Sequence, residues 1–351
     1  MSWVRQIARP DIVALEAYEH AAWEPGLARL HANELPWRSP GDESHAGLNR
    51  YPEPQPRALL ERLAGLYRVA PEAVLVGRGS DEAIDLLVRS FCRAGEDAVL
   101  VCTPTFGMYA VAARIQGAQV LSVPLCASAG FALDASAVLA RCTPAVKLVF
   151  LCSPNNPTGN LLSEAAILAI ADALAARALV VVDEAYIEFA GRESLAQQVQ
   201  RRPQLAVLRT LSKAHGLAGA RCGALIADPE VIALLRKVIA PYAIPQPALE
   251  VLLALLEPAQ LAAMRLSVAL VRAERQRMLA ALARLADVTH VWPSEANFLL
   301  AHFTDAGAAL ARARAANLLL RDTRAYPGLR QALRITVGTP AQNEQLLEAW
   351  R

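Results

Sequence analysis

KLVFLCSPNNPTGNLLSEAAILAIADALAARALVVVDEAY, residues 147–186, decides the fold class. It opens on an apolar run, KLVFLC, and passes through a loop of Ser, Pro, Asn, Thr and Gly. An alanine-rich segment, SEAAILAIADALAARA, then reads as helix. A second apolar run, LVVV, stops at Asp183-Glu184. Strand, helix and strand in that order, with both strands apolar throughout, predict parallel strands covered on both faces. The pattern continues outward. Upstream lie PRALLERLAGLY (helix), AVLVG (strand), SDEAIDLLVRSF (helix with Ser and Asp at its start), DAVLVC (strand), FGMYAVAARIQG (helix) and AQVLSV (strand). Downstream, LAVLRT and CGALIA read as two further strands. The expectation is an α/β fold with a mostly parallel seven-stranded sheet and helices on both faces. Its ligand belongs at the carboxyl ends of the strands.

Beyond residue 228 a helical stretch is interrupted by Pro241, Pro245, Pro247 and Pro258. Short strands (HVWP, NFLLAHF, LRITVG) then alternate with helices, which predicts a smaller α+β domain. Residues 1–50, with Pro36, Pro40 and Gly41, read as irregular chain wrapping something. The expected division is an N-terminal arm over 1–45, a large domain over 46–240 and a small domain over 241–351.

Composition narrows the class. At 351 residues the chain is long enough for two domains, and at 54% hydrophobic and 19% charged it can bury large cores. Mean hydropathy is +0.27. No apolar run approaches the ~18–20 residues of a membrane span. The first twenty residues have no continuous apolar stretch and do not read as a secretory signal. A net charge of +2, with both signs spread along the chain, argues against a nucleic-acid partner. The six cysteines form no C-x-x-C pair and no zinc-like cluster, so buried free thiols in a reducing cytoplasm are expected, and no metal.

Of 35 basic residues only Lys147, Lys213 and Lys237 are lysines. Arginine replaces lysine as a surface charge but not where a deprotonatable amine is needed. Each lysine is therefore a candidate for chemistry or a leftover surface charge. Lys147 opens a strand and Lys237 lies in VIALLRKVI, both readable as solvated positions. Lys213 lies between two apolar strands in Thr210-Leu211-Ser212-Lys213, where it can be desolvated and act as an amine nucleophile. Arg221, eight residues on, can clamp a phosphate. Three other clusters follow strands. Gly77-Arg78-Gly79-Ser80-Asp81 precedes a helix, and reads either as an anion-binding N-terminus or as a tight turn with its cap. Ser153-Pro154-Asn155-Asn156-Pro157-Thr158-Gly159 is a loop that can point an amide into a cleft. Asp183 ends a fully apolar strand, where a carboxylate is costly without a cation, unless it caps a helix. Tyr186 is a nearby donor. Together the clusters supply an amine for an imine, an acid for a ring nitrogen, donors for a phenolic oxygen and an anion cradle. Pyridoxal 5′-phosphate needs that set.

The motifs LHANELP (30–36), NRYPEPQP (49–56), VLVGRGSDEAIDLLVRSFC (74–92), CTPTFGMY (102–109), CSPNNPTG (152–159), VVVDEAYIEF (180–189), RTLSKAHGLAGARCG (209–223), KVIAPYAIP (237–245) and LRITVGT (333–339) span nearly the whole chain. In order and spacing the chain resembles the fold-type-I pyridoxal-phosphate aminotransferases. SPNNPTG, DEAY and TLSKA mark the superfamily; NRYPEPQP, RGSDE and VIAPY favour its histidinol-phosphate aminotransferase branch.

The resemblance implies catalytic roles for Lys213, Asp183 and Tyr186. Lys213 would bind the cofactor covalently and shuttle a proton, and Asp183 would pair with the pyridinium nitrogen. Tyr186 and Asn156 would bond the phenolic oxygen, and Tyr109 would stack on the ring. Gly79, Ser80, Asp81, Thr210, Ser212 and Arg221 would surround the phosphate. Tyr51 would reach the phosphate in the neighbouring subunit of a homodimer. Arg334, helped by Arg321, would bind the anionic end of either substrate, with Tyr18 and Asn33 contributing from the arm. His215 is read as packed behind the site. The implied reaction is ping-pong transamination, with glutamate and histidinol phosphate as small-molecule substrates. Aromatic or broad-specificity aminotransferases and a phosphothreonine decarboxylase share the scaffold. Transcription regulators built on it carry an N-terminal winged helix, for which the arm offers no pattern.

Overall fold

The computed structural model describes residues 2–20, 24 and 26–351. Seven strands, β1 (Val74–Gly77), β2 (Ala98–Thr103), β3 (Gln119–Pro124), β4 (Val146–Cys152), β5 (Leu179–Asp183), β6 (Leu205–Thr210) and β7 (Gly223–Ile226), form one sheet in the order β1-β7-β6-β5-β4-β2-β3. Neighbours from β3 to β6 run parallel, and β7 runs antiparallel to both β6 and β1. β1, β5, β6 and β7 are buried along their whole length, which is why their sequences are apolar up to the polar residues that end β5 (Asp183) and β6 (Arg209 and Thr210). β3, at the edge, is mostly open to solvent and carries Ser122 and Pro124.

Alternation along β5 sends Val180 and Val182 to one face and Leu179 and Val181 to the other. On the first face they meet Leu59 and Leu63 of helix Arg57–Tyr67 and Ile167 and Ile170 of helix Glu164–Ala173. On the second they meet Ile84, Leu87 and Phe91 of helix Ser80–Phe91. That helix carries Asp81 and Glu82 in its first turn and Arg89 in its last, the signs its dipole favours.

A second sheet joins β8 (Val288–Trp292), β9 (Phe298–Phe303), β10 (Arg321–Asp322) and β11 (Ala332–Thr336), all antiparallel, in the order β10-β11-β9-β8. Met278 and Leu282 of the 25-residue helix Pro258–Leu282 pack on it with Leu346, Leu347 and Trp350. The shorter helix Gln246–Leu255 instead places Leu249 and Leu252 in the core of the large sheet.

Several expectations need correcting. The N-terminus is not wholly irregular: Trp3–Ile7 and Pro10–Ala14 are helical, and Val4 and Ile7 join the large core. The alanine-rich helix ends at Ala173, and Ala176 at φ +59° turns the chain into β5. Lys147 and Lys237 are not freely solvated. Lys147 Nζ lies 3.9 Å from Asp97, and Lys237 Nζ donates to Val13 O at 2.9 Å, which ties the arm down. All six cysteines are free, and Cys126 alone of them is exposed. Among the described residues no single helix is long and apolar enough to cross a membrane, and no group of three or more His, Cys, Asp or Glu could hold a metal ion.

Candidate active site

The carboxyl ends of β4, β5 and β6 and the N-terminus of helix Ser80–Phe91 open into one cavity of about 130 Å³. Its floor is Asp183, the last residue of β5 and 3% exposed. Tyr109 Oη donates to Asp183 Oδ2 at 2.7 Å, and the Ala185 N–H donates to Oδ1 at 3.1 Å. Burial nevertheless outweighs these bonds and pushes the carboxyl up to about 6. Such a group gains most from a cation placed against it.

Lys213 follows β6 and lines the same cavity, its Nζ 5.7 Å from the centroid of the Tyr186 ring. Loss of water, then the positive charges of Arg334 and Arg221, draw its pKa below the usual lysine range against the pull of Asp81 and Asp183. An amine so placed is easier to deprotonate, as a nucleophile or proton carrier must be. Tyr186 is 7% exposed, braced edge-on by Phe298 at 5.2 Å, and accepts a long 3.5 Å bond from Asn156 Nδ2. Burial raises its hydroxyl pKa, so it stays a donor.

The opposite wall has the donors an anion cradle needs. Gly79 at φ +84° turns β1 into helix Ser80–Phe91, and no side chain caps that N-terminus. Its N–H groups and dipole face the cavity with the Thr210 and Ser212 hydroxyls and Arg221. Arg221 Nη2 lies 3.4 Å from Asp81 Oδ2. Gly223 on β7 lets the cradle form, because a Cβ there would stand 2.6 Å from Ser80 N.

The structure therefore brings together Gly79, Ser80, Asp81, Asn156, Asp183, Tyr186, Thr210, Ser212, Lys213 and Arg221 around one space. Arg334, on β11, reaches its edge: Nη1 donates to Asn156 Oδ1, and the guanidinium lies 5.2 Å above the Phe298 ring. Arg321 sits opposite Arg334 on the exposed strand β10.

The expected stacking role of Tyr109 is not supported. Tyr109 is fully buried, stacked on Phe150 at 4.7 Å, with its hydroxyl committed to Asp183 from behind. Phe106, three residues earlier, lines the cavity instead. Tyr18, Asn33 and Tyr51 do not reach this chain's own cavity. Tyr18 is 70% exposed beside His20, and Asn33 lies near Tyr51 on the arm. Tyr51 stacks on Tyr242 at 4.5 Å. Its backbone N–H donates to Glu34, which Arg29 and Arg50 bracket. Sequence reading missed Phe106, although TPTF supplied the aromatic, and missed the buried Arg209, which pairs with Glu188 at 2.6 Å and Glu184 at 3.6 Å. His215 is packed near that pair; burial lowers its pKa, and neither ring nitrogen has a protein partner.

These residues fit pyridoxal 5′-phosphate: a depressed amine, a buried carboxylate short of a cation, and an uncapped helix N-terminus around one cavity. The comparisons agree. Residues 30–349 match the model of the aminotransferase class I and II family. A histidinol-phosphate aminotransferase of Stenotrophomonas maltophilia is 50% identical over 350 residues, covering 99% of this chain and 96% of that protein. Among solved structures, a histidinol-phosphate aminotransferase from Sinorhizobium meliloti in complex with pyridoxal-5′-phosphate superposes with TM-score 0.77 at 24% identity, over 86% of this chain and 82% of that one. An L-threonine-O-3-phosphate decarboxylase from Porphyromonas gingivalis superposes with TM-score 0.72 at 27% identity, over 86% and 90%. The chain belongs to the class I and II aminotransferases and, within them, to the histidinol-phosphate aminotransferases.

Proposed function

We propose that this cleft performs ping-pong transamination in L-histidine biosynthesis. Glutamate gives up its amino group and leaves as 2-oxoglutarate; imidazole-acetol phosphate takes the group up and becomes L-histidinol phosphate. The observation that carries this reading is the placement of the Lys213 amine and the cation-deficient Asp183 carboxylate in one cavity beside a free helix N-terminus.

Pyridoxal 5′-phosphate supplies, when bound, an electron-withdrawing ring that accepts the electron pair released at the substrate Cα. The chain does the rest. Asp183 is the anion for the protonated ring nitrogen, and Tyr109 and the Ala185 N–H hold that carboxylate in place. Lys213 would tether the cofactor at rest and, when free, would carry the Cα proton. Tyr186 and Asn156 would bond the phenolic oxygen, and Phe106 would be the aromatic against the ring. Gly79, Ser80, Asp81, Thr210, Ser212 and Arg221 would hold the phosphate. Arg334, with Arg321, binds a carboxylate in one half-reaction and a phosphate monoester in the other, both of which suit a guanidinium fork. Arg334→Ala is expected to raise KM for glutamate and for histidinol phosphate by about 100-fold; steady-state kinetics showing a change in neither would remove it from the substrate site.

The working unit is a homodimer in the cytoplasm. Leu30, Leu35, Trp37, Leu48 and Tyr51 are all exposed within 22 residues of chain, and exposed apolar side chains of that kind suit a second copy. Tyr51 then meets the phosphate in the neighbouring site, while Tyr18 and Asn33 close over substrate. The proposed division is an arm over 1–45, a large domain over 46–240 and a small domain over 241–351, with Val4 and Ile7 of the arm and Leu249 and Leu252 of the last segment packed into the large core. Mixing a Tyr51→Ala chain with a Lys213→Ala chain should restore part of the activity, because such heterodimers contain one intact site. Heterodimers that form but stay inactive contradict the shared site.

Purified protein with pyridoxal phosphate, given histidinol phosphate and 2-oxoglutarate, tests the function. Glutamate should appear faster than with phenylalanine as donor. Preference for phenylalanine points to an aromatic aminotransferase. Carbon dioxide from phosphothreonine without an amino acceptor points to a decarboxylase.

A further inference from the structure

Arg275, on helix Pro258–Leu282, is 2% exposed and lies outside the cavity. Its Nη1 donates to two backbone carbonyls, Ala296 O at 2.7 Å and Phe189 O at 3.4 Å, and its Nη2 meets Glu295 Oε2 at 3.1 Å. Burying a guanidinium is costly, and one ion pair to a half-open carboxylate offsets only part of that cost. Its placement has a geometric consequence.

The two carbonyls belong to the two parts of the molecule that meet at the site. Phe189 lies three residues after Tyr186, at the exit of β5. Ala296 lies two residues before Phe298, at the entry of β9. The Phe298 ring packs edge-on against Tyr186 and carries the Arg334 guanidinium. Two further hydrogen bonds tie the segment beneath Arg275. Glu295 N donates to Gly159 O at 2.7 Å, which joins it to the loop of Asn156. Val337 N donates to Asn297 O at 2.9 Å, which joins it to the end of β11. Gly159 lets Ser294 approach this closely, since a Cβ there would stand 2.7 Å from Ser294 Cβ.

We propose that Arg275 is a positioning residue for substrate binding: by holding Phe189 O and Ala296 O with one guanidinium group, it fixes the separation of Tyr186 and Phe298 and so sets where Arg334 presents its fork to the anionic end of the substrate. The inference rests on the transamination reading for the role of Arg334. Lysine at 275 keeps the charge but cannot span both carbonyls and Glu295 in a planar fork. Methionine keeps most of the apolar stem and releases all three partners.

The test uses the cofactor-loaded full chain in four forms: wild type, Arg275→Lys, Arg275→Met and Glu295→Gln. Arg277→Ala, on the same helix as Arg275 and breaking its pairs to Glu274 and to Glu344 of the C-terminal helix, is the control. Two readouts are taken: kcat and KM for each substrate, and calorimetric binding of maleate, a dicarboxylate that cannot be transaminated. Arg275→Met is expected to raise KM for both substrates and weaken maleate by about 10- to 100-fold, with kcat and the cofactor absorbance band little changed. Arg275→Lys should fall between it and wild type, and Glu295→Gln nearer wild type. Arg277→Ala should leave all values unchanged. If Arg275→Met does not fold, Arg275→Lys and Glu295→Gln carry the test, and the same split between KM and kcat is required of Arg275→Lys. Folded variants with wild-type maleate affinity and KM overturn the inference, as does a loss confined to kcat or to cofactor retention. Wild type that binds maleate but transaminates no substrate would overturn the functional reading alone.

Discussion

Lys213→Ala is expected to abolish the covalent cofactor adduct and lower transamination by at least ~10³–10⁴-fold. Only three lysines exist in the chain, and the other two are held elsewhere, at Asp97 and Val13 O. Neither can reach the cavity to replace it. The amine's depressed pKa comes from lost solvent and from Arg334 and Arg221, all of which the substitution leaves in place. The fold should therefore survive, because the side chain lines the cavity and belongs to no hydrophobic core cluster. Borohydride reduction followed by peptide mass spectrometry should find the label on the Lys213 peptide in wild type and nowhere in the variant. A labelled peptide containing Lys147 or Lys237 would overturn the assignment.

Asp183→Asn is expected to lower kcat by about 10²–10³-fold, the scale of removing one partner of a buried ion pair. The amide oxygen can still accept from the Ala185 N–H while its NH2 donates to Tyr109 Oη, so the geometry is retained while the charge is lost. A pH signature accompanies this loss. Burial lifts the Asp183 carboxyl from 3.8 to about 6 in the cofactor-free protein, chiefly through lost solvent. An acid with a raised folded-state pKa stabilises the fold below its unfolded value, here about pH 4, and that contribution is lost as pH rises through 6. Cofactor-free wild type should therefore lose melting temperature from this group between pH 4 and 6, and Asp183→Asn should flatten that part of the profile. Thermal melts of both proteins across this range decide it. Identical slopes would show that Asp183 does not carry the buried charge.

The order of strands and helices was readable because each central strand is apolar on both faces and each connecting helix has a one-sided stripe, both local properties. The anchors of the site were readable for the same reason. Asp183, Lys213, Asn156 and Gly79 each sit where an apolar run stops, and a parallel sheet collects such stops at one edge. Tyr109 and Phe106 were not separable this way. Both are aromatics in one short segment, and the packing of helix Met108–Gln116 under the sheet turns one toward Phe150 and leaves the other in the cavity. Arg275 was invisible for a compositional reason. With 35 basic residues of which three are lysines, 32 arginines remain, and an arginine in an alanine-rich helix carries no local mark.

From its residues alone this protein's sheet, the amine and the acid of its cavity and the glycine turn at Gly79 follow, since strand periodicity, a scarce lysine and a strand-end carboxylate act within a few positions of chain. The meeting of Arg334 with Asn156 across 178 residues, the choice of Phe106 over Tyr109 and the clamp by Arg275 belong to the tertiary structure. They depend on how two sheets are set against each other, and that is fixed by close packing and by buried polar groups finding partners.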